Sequence, residues 1–280
     1  MISVLTNVAS MNAQRNLAST QTALAASIGR LSSGMRINSA SDDAAGLGIS
    51  ENLKSNIRSL AQAQRNTNDG ISMSQVAEGG MNQQQGIVSR MRELAVQSSN
   101  QSLGATERGY IQTEFSQLGS EINRIGAVTE FAGQKLLDGS ASAGLTFQVG
   151  INNTANDRLS MSITKLTTST LGSTSLHIAS ASLSTATNAQ KALAVFDKAI
   201  TQLSTARSKV GAVQNRMQVT ISNLAVAQEN LSSAQSRIAD VDVASETAQL
   251  SKSQILSQAG LAVLAQANQM PQAALSLLRG

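Results

Sequence analysis

The chain has 280 residues, of which 2% are aromatic, with a formal net charge of +4 and no cysteine. This length is sufficient for one or two domains, but so few aromatic residues do not suit a thick globular core. The composition excludes disulfides and thiolate metal sites, and scattered basic residues with few stacking aromatics argue against a nucleic-acid binder.

The first predicted element is an amphipathic helix within residues 1–36. Its apolar residues recur at steps of seven, four, three and four, at Leu17, Leu24, Ile28, Leu31 and Met35. Gly34 and the polar run 38–41 interrupt the pattern, and Asp42 and Asp43 open a second helix, because carboxylates suit the positive end of a helix dipole.

The second and third helices follow directly. The second is expected to end near residues 98–100 and to weaken at the glycine pair Gly79 and Gly80. The third begins after Gly104 and carries a heptad pattern, in which apolar residues alternate at steps of four and three. Its members are Ile111, Phe115, Leu118, Ile122 and Ile125.

The period then changes from helical to alternating. Apolar residues at every second position flank a turn rich in Asn and Asp, which predicts a β-hairpin within residues 141–165. Residues 166–187 are rich in Ser and Thr and low in charge. We expect them to form a short, variable excursion on the surface.

A helical pattern returns at Ala189 and continues to Asp240, and a last amphipathic segment covers residues 244–278. The segment 189–240 would extend roughly 75 Å as one helix. The predicted fold is mainly α: a long antiparallel helical rod with coiled-coil packing and a β-hairpin. The narrow apolar stripes at the two ends need each other or another copy of the chain, and head-to-tail contacts that do not close build helical filaments.

The sequence predicts no enzyme. His177 is the only histidine, so a zinc site of the two-histidine type is excluded, and no nucleophile motif accompanies it. Asp240 and Asp242 form a pair that suits a helix break with capping acids better than metal binding. We therefore expect no catalytic residue, no metal and no cofactor. No apolar run is long enough to insert into a membrane.

A charged cluster in the second helix allows two interpretations. Arg90, Glu93, Leu94 and Gln97 lie at helical spacing and are expected to share one face. The face is either a solvated charged surface or a recognition surface, and spacing alone does not choose between them.

Several long motifs resemble those of bacterial flagellins, the subunits of the flagellar filament. They cover essentially the whole chain except residues 140–190, where flagellins often carry large outer domains. The motifs are RLSSGMRINSASDDAAGLGIS (30–50), SRMRELAVQSSN (89–100), AVQNRMQVTISNL (212–224), SRIADVDVASETAQLSKSQIL (236–256) and QANQMPQAALSLLRG (266–280).

The resemblance implies a division of the chain by role. Residues 1–42 and 236–280 would pair as the inner core of a filament. Residues 43–140 and 188–235 would form a helical rod domain, to which the hairpin 141–165 belongs. The side chains expected to pack in the filament core are Leu17, Leu24, Ile28, Leu31, Ile255, Leu261 and Leu264.

The resemblance also implies partners and a location. The chain would leave the cell through the flagellar type III export apparatus, with its C-terminal segment held beforehand by an export chaperone. It would polymerise with itself outside the cell into a filament for swimming and meet the hook–filament junction and cap proteins. A host Toll-like receptor would recognise a patch matched by Arg90, Leu94, Gln97 and Glu114.

Two other interpretations stay open at the sequence level. A hook–filament junction protein would have similar ends but a different middle region. A flagellin-like adhesin of the cell surface would bind its ligand within residues 140–190.

Overall fold

The computed structural model describes residues 6–172 and 176–279, with residues 270–279 given by their backbone. Within these ranges the main elements are five α-helices and two small antiparallel hairpins, so the mainly α fold class with a β-hairpin is confirmed. The helices are α1 (Val8–Ser33), α2 (Ala44–Ser98), α3 (Ala105–Val128), α4 (Ala186–Ala239) and α5 (Val243–Arg279).

The chain divides into two compact units, one formed by residues 1–57 and 229–280 and the other by residues 58–228. We call them the terminal unit and the central unit. The divisions lie inside α2 and α4, at 57/58 and 228/229, whereas the corresponding boundaries predicted from the sequence lie at 42/43 and 235/236. The first turn of α2 packs against the preceding segment, since a side chain at Gly46 would lie 2.7 Å from the Ile37 methyl group.

In the terminal unit, α1 packs against α5 along a narrow seam. The less exposed residues of α5 recur at alternating steps of four and three, which is the spacing of coiled-coil packing. They are Glu246, Leu250, Ser253, Ser257, Gly260, Leu264 and Ala267. Small residues allow the two helices to approach closely, and a methyl group at Gly260 would lie 3.3 Å from the nearest Leu17 methyl.

Backbone hydrogen bonds connect the end of α1 to the junction of α4 and α5. Gly34 ends α1 in the left-handed conformation with φ 72°, which glycine adopts without steric cost. Met35 then forms an isolated antiparallel bridge with Asp240. The Arg36 N–H donates to the Ala239 carbonyl at 2.7 Å and the Val241 N–H donates to the Gly34 carbonyl at 3.0 Å.

The central unit holds most of the buried apolar residues, which come from α2, α3, α4 and the segment between the hairpins and α4. Aliphatic side chains fill most of the core. Phe115 and Phe196 form its one aromatic pair among the described residues, edge to face with ring centroids 5.9 Å apart. The predicted heptad of α3 is part of this core, and its residues Ile111, Phe115, Ile122 and Ile125 are buried.

The predicted β-hairpin is present. Its strands β3 (Leu145–Gln148) and β4 (Arg158–Met161) pair antiparallel, with Leu145 opposite Met161. A smaller hairpin, which the pattern did not predict, precedes it and consists of β1 (Glu130–Phe131) and β2 (Gln134–Lys135). Its two turn residues both have positive φ, 49° at Ala132 and 81° at Gly133, as a tight two-residue hairpin turn requires.

The described residues of segment 166–187, which are 166–172 and 176–187, do not form a surface excursion, so that prediction is wrong for them. Four of their apolar side chains are at most 2% exposed, namely Leu166, Leu171, Ile178 and Leu183. Side chains of the helices also bind the segment's backbone. The Gln84 amide donates to the Leu166 carbonyl at 3.0 Å, and the Gln202 amide both accepts from the Gly172 N–H at 2.9 Å and donates to its carbonyl at 3.0 Å.

The pair Gly79 and Gly80 does not interrupt α2, and the two glycines differ in their surroundings. A Cβ atom at Gly80 would lie 2.8 Å from the Thr129 hydroxyl and 2.9 Å from a Leu137 methyl group, whereas one at Gly79 would meet nothing within 4 Å. The absence of a side chain at Gly80 therefore lets Thr129 and Leu137, which flank the small hairpin, pack directly against α2.

Substituting these two glycines should change the stability in opposite directions. Gly80→Ala should lower the free energy of unfolding by about 1–3 kcal/mol through overpacking. Gly79→Ala should raise it by up to about 1 kcal/mol, because alanine is the better helix former. Urea unfolding of both variants checks this, and equal effects would show that Gly80 is not a close-packing position.

Candidate functional site

The terminal unit exposes a set of large apolar side chains that we call the terminal apolar surface. Each of its ten members is between 44% and 66% exposed. Contiguous exposed apolar patches are typical of contact surfaces, because single chains seldom leave large ones in water, so these ten residues are the candidates for such a surface. The members are Val8, Met11, Ile28, Met35, Ile49, Val243, Ile255, Leu256, Leu261 and Val263.

The residues predicted to pack in a filament core fall into two groups. Leu17, Leu24, Leu31 and Leu264 are half-buried and lie at the heptad positions of the α1–α5 seam. Ile28, Ile255 and Leu261 are 52%, 66% and 54% exposed and belong to the terminal apolar surface. The two predicted end stripes therefore divide into a seam between α1 and α5 and a face that the described residues leave exposed.

The exposed residues of α5 do not all lie on one face. Leu256 and Val263 are seven residues apart and share a face, but Ile255 precedes Leu256 by one residue and so points about 100° away. The seam with α1 occupies another face. Apolar residues on several sides are the pattern of a helix that is buried on several sides, and the seam with α1 accounts for one of them.

Charged residues organise the junction beside this surface. Arg30 lies 3.9 Å from the Asp42 carboxylate and 3.7 Å from that of Glu246. The hydroxyl of Ser39 and the backbone N–H groups of Ser39 and Asn38 donate to Asp42. These hydrogen bonds, that from the Ser39 hydroxyl foremost, hold the pKa of Asp42 below its usual value, with Arg30 contributing less.

Two of the predicted capping acids cap helices. Asp43 accepts from the Gly46 N–H at 2.8 Å at the start of α2. Asp242 accepts from the Ala244 N–H at 3.0 Å at the start of α5. Asp240 instead takes part in the backbone bridge with Met35, which the sequence pattern did not indicate.

The charged face of α2 lies in the central unit. The Arg90 guanidinium donates to Glu114 of α3 at 3.0 Å and to Glu93 at 3.1 Å. The hydrogen bonds to these two carboxylates, that to Glu114 foremost, raise the pKa of the Arg90 guanidinium above its usual value. Arg90, Glu114 and Gln97 are exposed, so they can contact a partner.

Leu94 does not share this exposed face. It is 1% exposed and packs in the core of the central unit, so the prediction that it offers an apolar anchor on the patch needs correction. The physical reason is the helical step: four residues advance about 400°, which leaves Leu94 about 40° from Arg90 and on the inner side of the boundary between core and solvent.

The described residues contain no group of three or more His, Cys, Asp or Glu side chains able to hold a metal ion. Among the helices described, none combines the length and hydrophobicity needed to cross a bilayer. His177 is half-buried, and its backbone N–H bonds to the Ser180 hydroxyl at 3.2 Å.

Known proteins resemble this chain over nearly its whole length. Residues 4–142 match the N-terminal helical region of bacterial flagellin and residues 193–278 match its C-terminal helical region. Flagellin of Halalkalibacterium halodurans is 45% identical over 273 residues, which are 98% of each chain. Flagellin B of Vibrio cholerae is 48% identical over 174 residues, 62% of this chain and 46% of that protein. The chain thus spans about half the length of this Vibrio flagellin.

A solved structure of a putative flagellar hook-associated protein from Vibrio parahaemolyticus has a similar fold. Its TM-score is 0.59 with 16% identity, and the match covers 71% of this chain and all of that chain. At this identity the likeness concerns the fold alone. The two matched helical regions and the relative that is similar from end to end show that the chain belongs to the bacterial flagellin family, whose members are structural proteins that polymerise into the extracellular flagellar filament.

Proposed function

We propose that the terminal apolar surface is the part of this flagellin through which copies of the chain pack in the filament. The supporting observation is the exposure of aliphatic side chains on α1 and on several faces of α5, which no other described residue of the terminal unit covers. Burying such side chains stabilises an assembly by about 25 cal/mol per Å² of apolar area. Neighbouring copies that bury these side chains therefore lower the free energy of the assembled state relative to the separate chains.

The same proposal assigns roles to the two ends of the chain. Residues 1–42 and 236–280 form the filament core, and residues 43–140 and 188–235 with the hairpin 141–165 form the layer around it. Leu17, Leu24, Leu31 and Leu264 hold α1 against α5. Ile28, Ile255 and Leu261 contact neighbouring subunits.

Removing either end of the chain tests this assignment. Deletion of residues 1–36 or 244–280 should abolish filament formation, since each deletion removes half of the α1–α5 seam and part of the terminal apolar surface. Sedimentation and electron microscopy report the polymer. The central unit should keep its helical circular dichroism and its cooperative unfolding. Filaments of normal length from either truncated chain would exclude the proposed assignment.

We also propose that the chain is exported through the flagellar type III apparatus, with a chaperone holding its C-terminal segment until then. The apolar side chains exposed on α5 support this, because such a surface attracts other copies before export. Outside the cell, the growing end of the filament meets the cap proteins and its base meets the hook–filament junction proteins.

A further proposal concerns a host Toll-like receptor. Arg90, Gln97 and Glu114 form the exposed patch, and Leu94 supports it from the core. Arg90 carries a forked donor on a rigid helix, a property common at binding hot spots. Glu114 and Glu93 orient the fork in the free chain, so the receptor would bind a guanidinium that is already positioned.

Loss of the Arg90 side chain should weaken the response of receptor-reporter cells to purified monomer. Arg90→Ala is expected to cost about 2 kcal/mol of binding, close to thirtyfold in potency. Arg92→Ala is the matched control, because Arg92 lies on the same helix but pairs with Asp197 at 2.7 Å. Equal potency of the two variants, or no signal from the wild-type monomer, would exclude recognition through this patch.

A further inference from the structure

The methionines whose side chains the structure describes divide sharply by exposure. Met11 is 58% exposed and Met35 is 44% exposed, and both belong to the terminal apolar surface. The other methionines with described side chains are at most 8% exposed. These buried methionines are Met73, Met81, Met91, Met161 and Met217.

The buried thioethers are enclosed by specific contacts. The Met161 sulfur accepts a hydrogen bond from the Ser74 hydroxyl at 3.1 Å. Met217 packs so closely on α2 that a Cβ atom at Gly70 would lie 3.0 Å from its sulfur. A soluble oxidant cannot reach these sulfur atoms without opening the core of the central unit.

Met11 and Met35 lie where a change of polarity matters for assembly. Met11 is three residues from Val8 on the exposed side of α1. Met35 follows the end of α1 and forms the bridge with Asp240 through its backbone, so its side chain is not needed for that contact. Neither side chain is in a core, so a chemical change at its sulfur leaves the fold intact.

We propose that Met11 and Met35 are a peroxide-sensitive modification site that controls polymerisation of the monomer. This inference rests on the proposed function of the terminal apolar surface. The sulfur of each residue attacks one oxygen of hydrogen peroxide and the O–O bond breaks. The sulfur is oxidised to the sulfoxide and the peroxide is reduced, with its second oxygen leaving as water. The product is a polar, chiral group where a thioether lay before.

The sulfoxide opposes assembly but not folding. In the monomer its oxygen is solvated, whereas packing against a neighbouring copy would bury it among aliphatic side chains without a hydrogen-bond donor. Polymerised chains, in turn, shield both sulfur atoms. Oxidation therefore acts on the chain before it is incorporated, and a methionine sulfoxide reductase would restore competence.

Peroxide treatment of purified monomer, followed by peptide mass spectrometry, tests the first step. Met11 and Met35 should oxidise at least about tenfold faster than the five buried methionines, since exposure governs the susceptibility of a thioether. The treated monomer should keep its helical circular dichroism. Its critical concentration for polymerisation should rise by at least about tenfold, as expected for one buried unpaired polar group.

The variant with both Met11→Leu and Met35→Leu provides the control. Leucine conserves volume and hydrophobicity, so this variant should polymerise normally before treatment and continue to do so after it. Reduction of the treated wild-type chain by the reductase should restore polymerisation. Equal loss in the Leu variant, or normal polymerisation of a wild-type chain that carries both sulfoxides, would overturn the proposal.

The same peptides, measured in intact filaments, separate this inference from the proposed function. Slow oxidation of Met11 and Met35 in filaments supports both. Equally fast oxidation in filaments and in monomer would contradict burial of the surface on assembly, and would overturn the proposed function together with this inference. Protection in the filament combined with normal polymerisation of the oxidised monomer would overturn the inference alone.

Discussion

A Leu183→Ala variant should lose about 3 kcal/mol of unfolding free energy, which lies within the range for a buried leucine reduced to alanine. Leu183 is fully buried, and its backbone is held on both sides. The Ser98 hydroxyl donates to its carbonyl at 2.6 Å, and its N–H donates to the Gln112 side chain at 2.6 Å. Because the site is fixed by these bonds, it cannot collapse around the lost methyl groups, and a cavity should remain.

Urea unfolding monitored by circular dichroism measures this effect. Ser184→Ala is the matched control, since Ser184 is exposed one residue away and its loss should change stability by less than about 0.5 kcal/mol. Equal stabilities of the two variants would mean that Leu183 lies on the surface after all.

Introducing a charge into the terminal apolar surface should have the largest effect on assembly. Ile255→Asp and Leu261→Asp each place a carboxylate at a position that is more than half exposed in the single chain. The monomer should therefore keep its fold. Packing between copies would bury an unpaired charge, at a cost of about 3 kcal/mol or more, which is over a hundredfold in critical concentration.

The conservative variants Ile255→Leu and Leu261→Ile serve as controls. They keep the apolar volume and should polymerise within about tenfold of the wild-type critical concentration, because such exchanges cost less than about 1.5 kcal/mol. Polymerisation of the aspartate variants at the wild-type concentration would show that these positions stay in water in the filament.

The segments of this chain with a regular apolar period could be predicted from the sequence, whereas segments too short or too irregular to show a period could not. The heptad of α3 recurs in the burial of Ile111, Phe115, Ile122 and Ile125, because one face of a regular helix meets one core. The period-2 runs likewise predicted strands β3 and β4. Strands of two residues, such as β1 and β2, are too short to show any period.

Segment 166–187 was beyond prediction because its contacts are long-range and irregular. Its buried leucines follow no repeat, and the side chains that hold its backbone, Gln84, Gln112 and Gln202, lie far away along the chain. Composition alone therefore suggested a surface segment. Each of these glutamines has an ordinary place in an amphipathic helix, so nothing in the sequence distinguishes it from a solvated one.

The residues of the candidate site could be predicted from the sequence, but which of them are buried and which are exposed could not. Spacing identified the apolar residues of both chain ends but could not separate the seam residue Leu24 from the exposed Ile28, since four residues along a helix shift direction by only about 40°. The same small angle separates Arg90 from the buried Leu94. Which side of this boundary a residue occupies depends on how the partner helix is placed, and that is a property of the fold.

Cysteine labelling of the terminal apolar surface is the most direct test of the central claim, that copies of this flagellin cover this surface when they polymerise. The chain has no cysteine, so Ile255→Cys and Leu261→Cys each introduce a single thiol. A maleimide reagent should label both thiols rapidly in the monomer and at least about tenfold more slowly in intact filaments, because buried thiols are inert. Equal labelling rates in monomer and filament would contradict the claim.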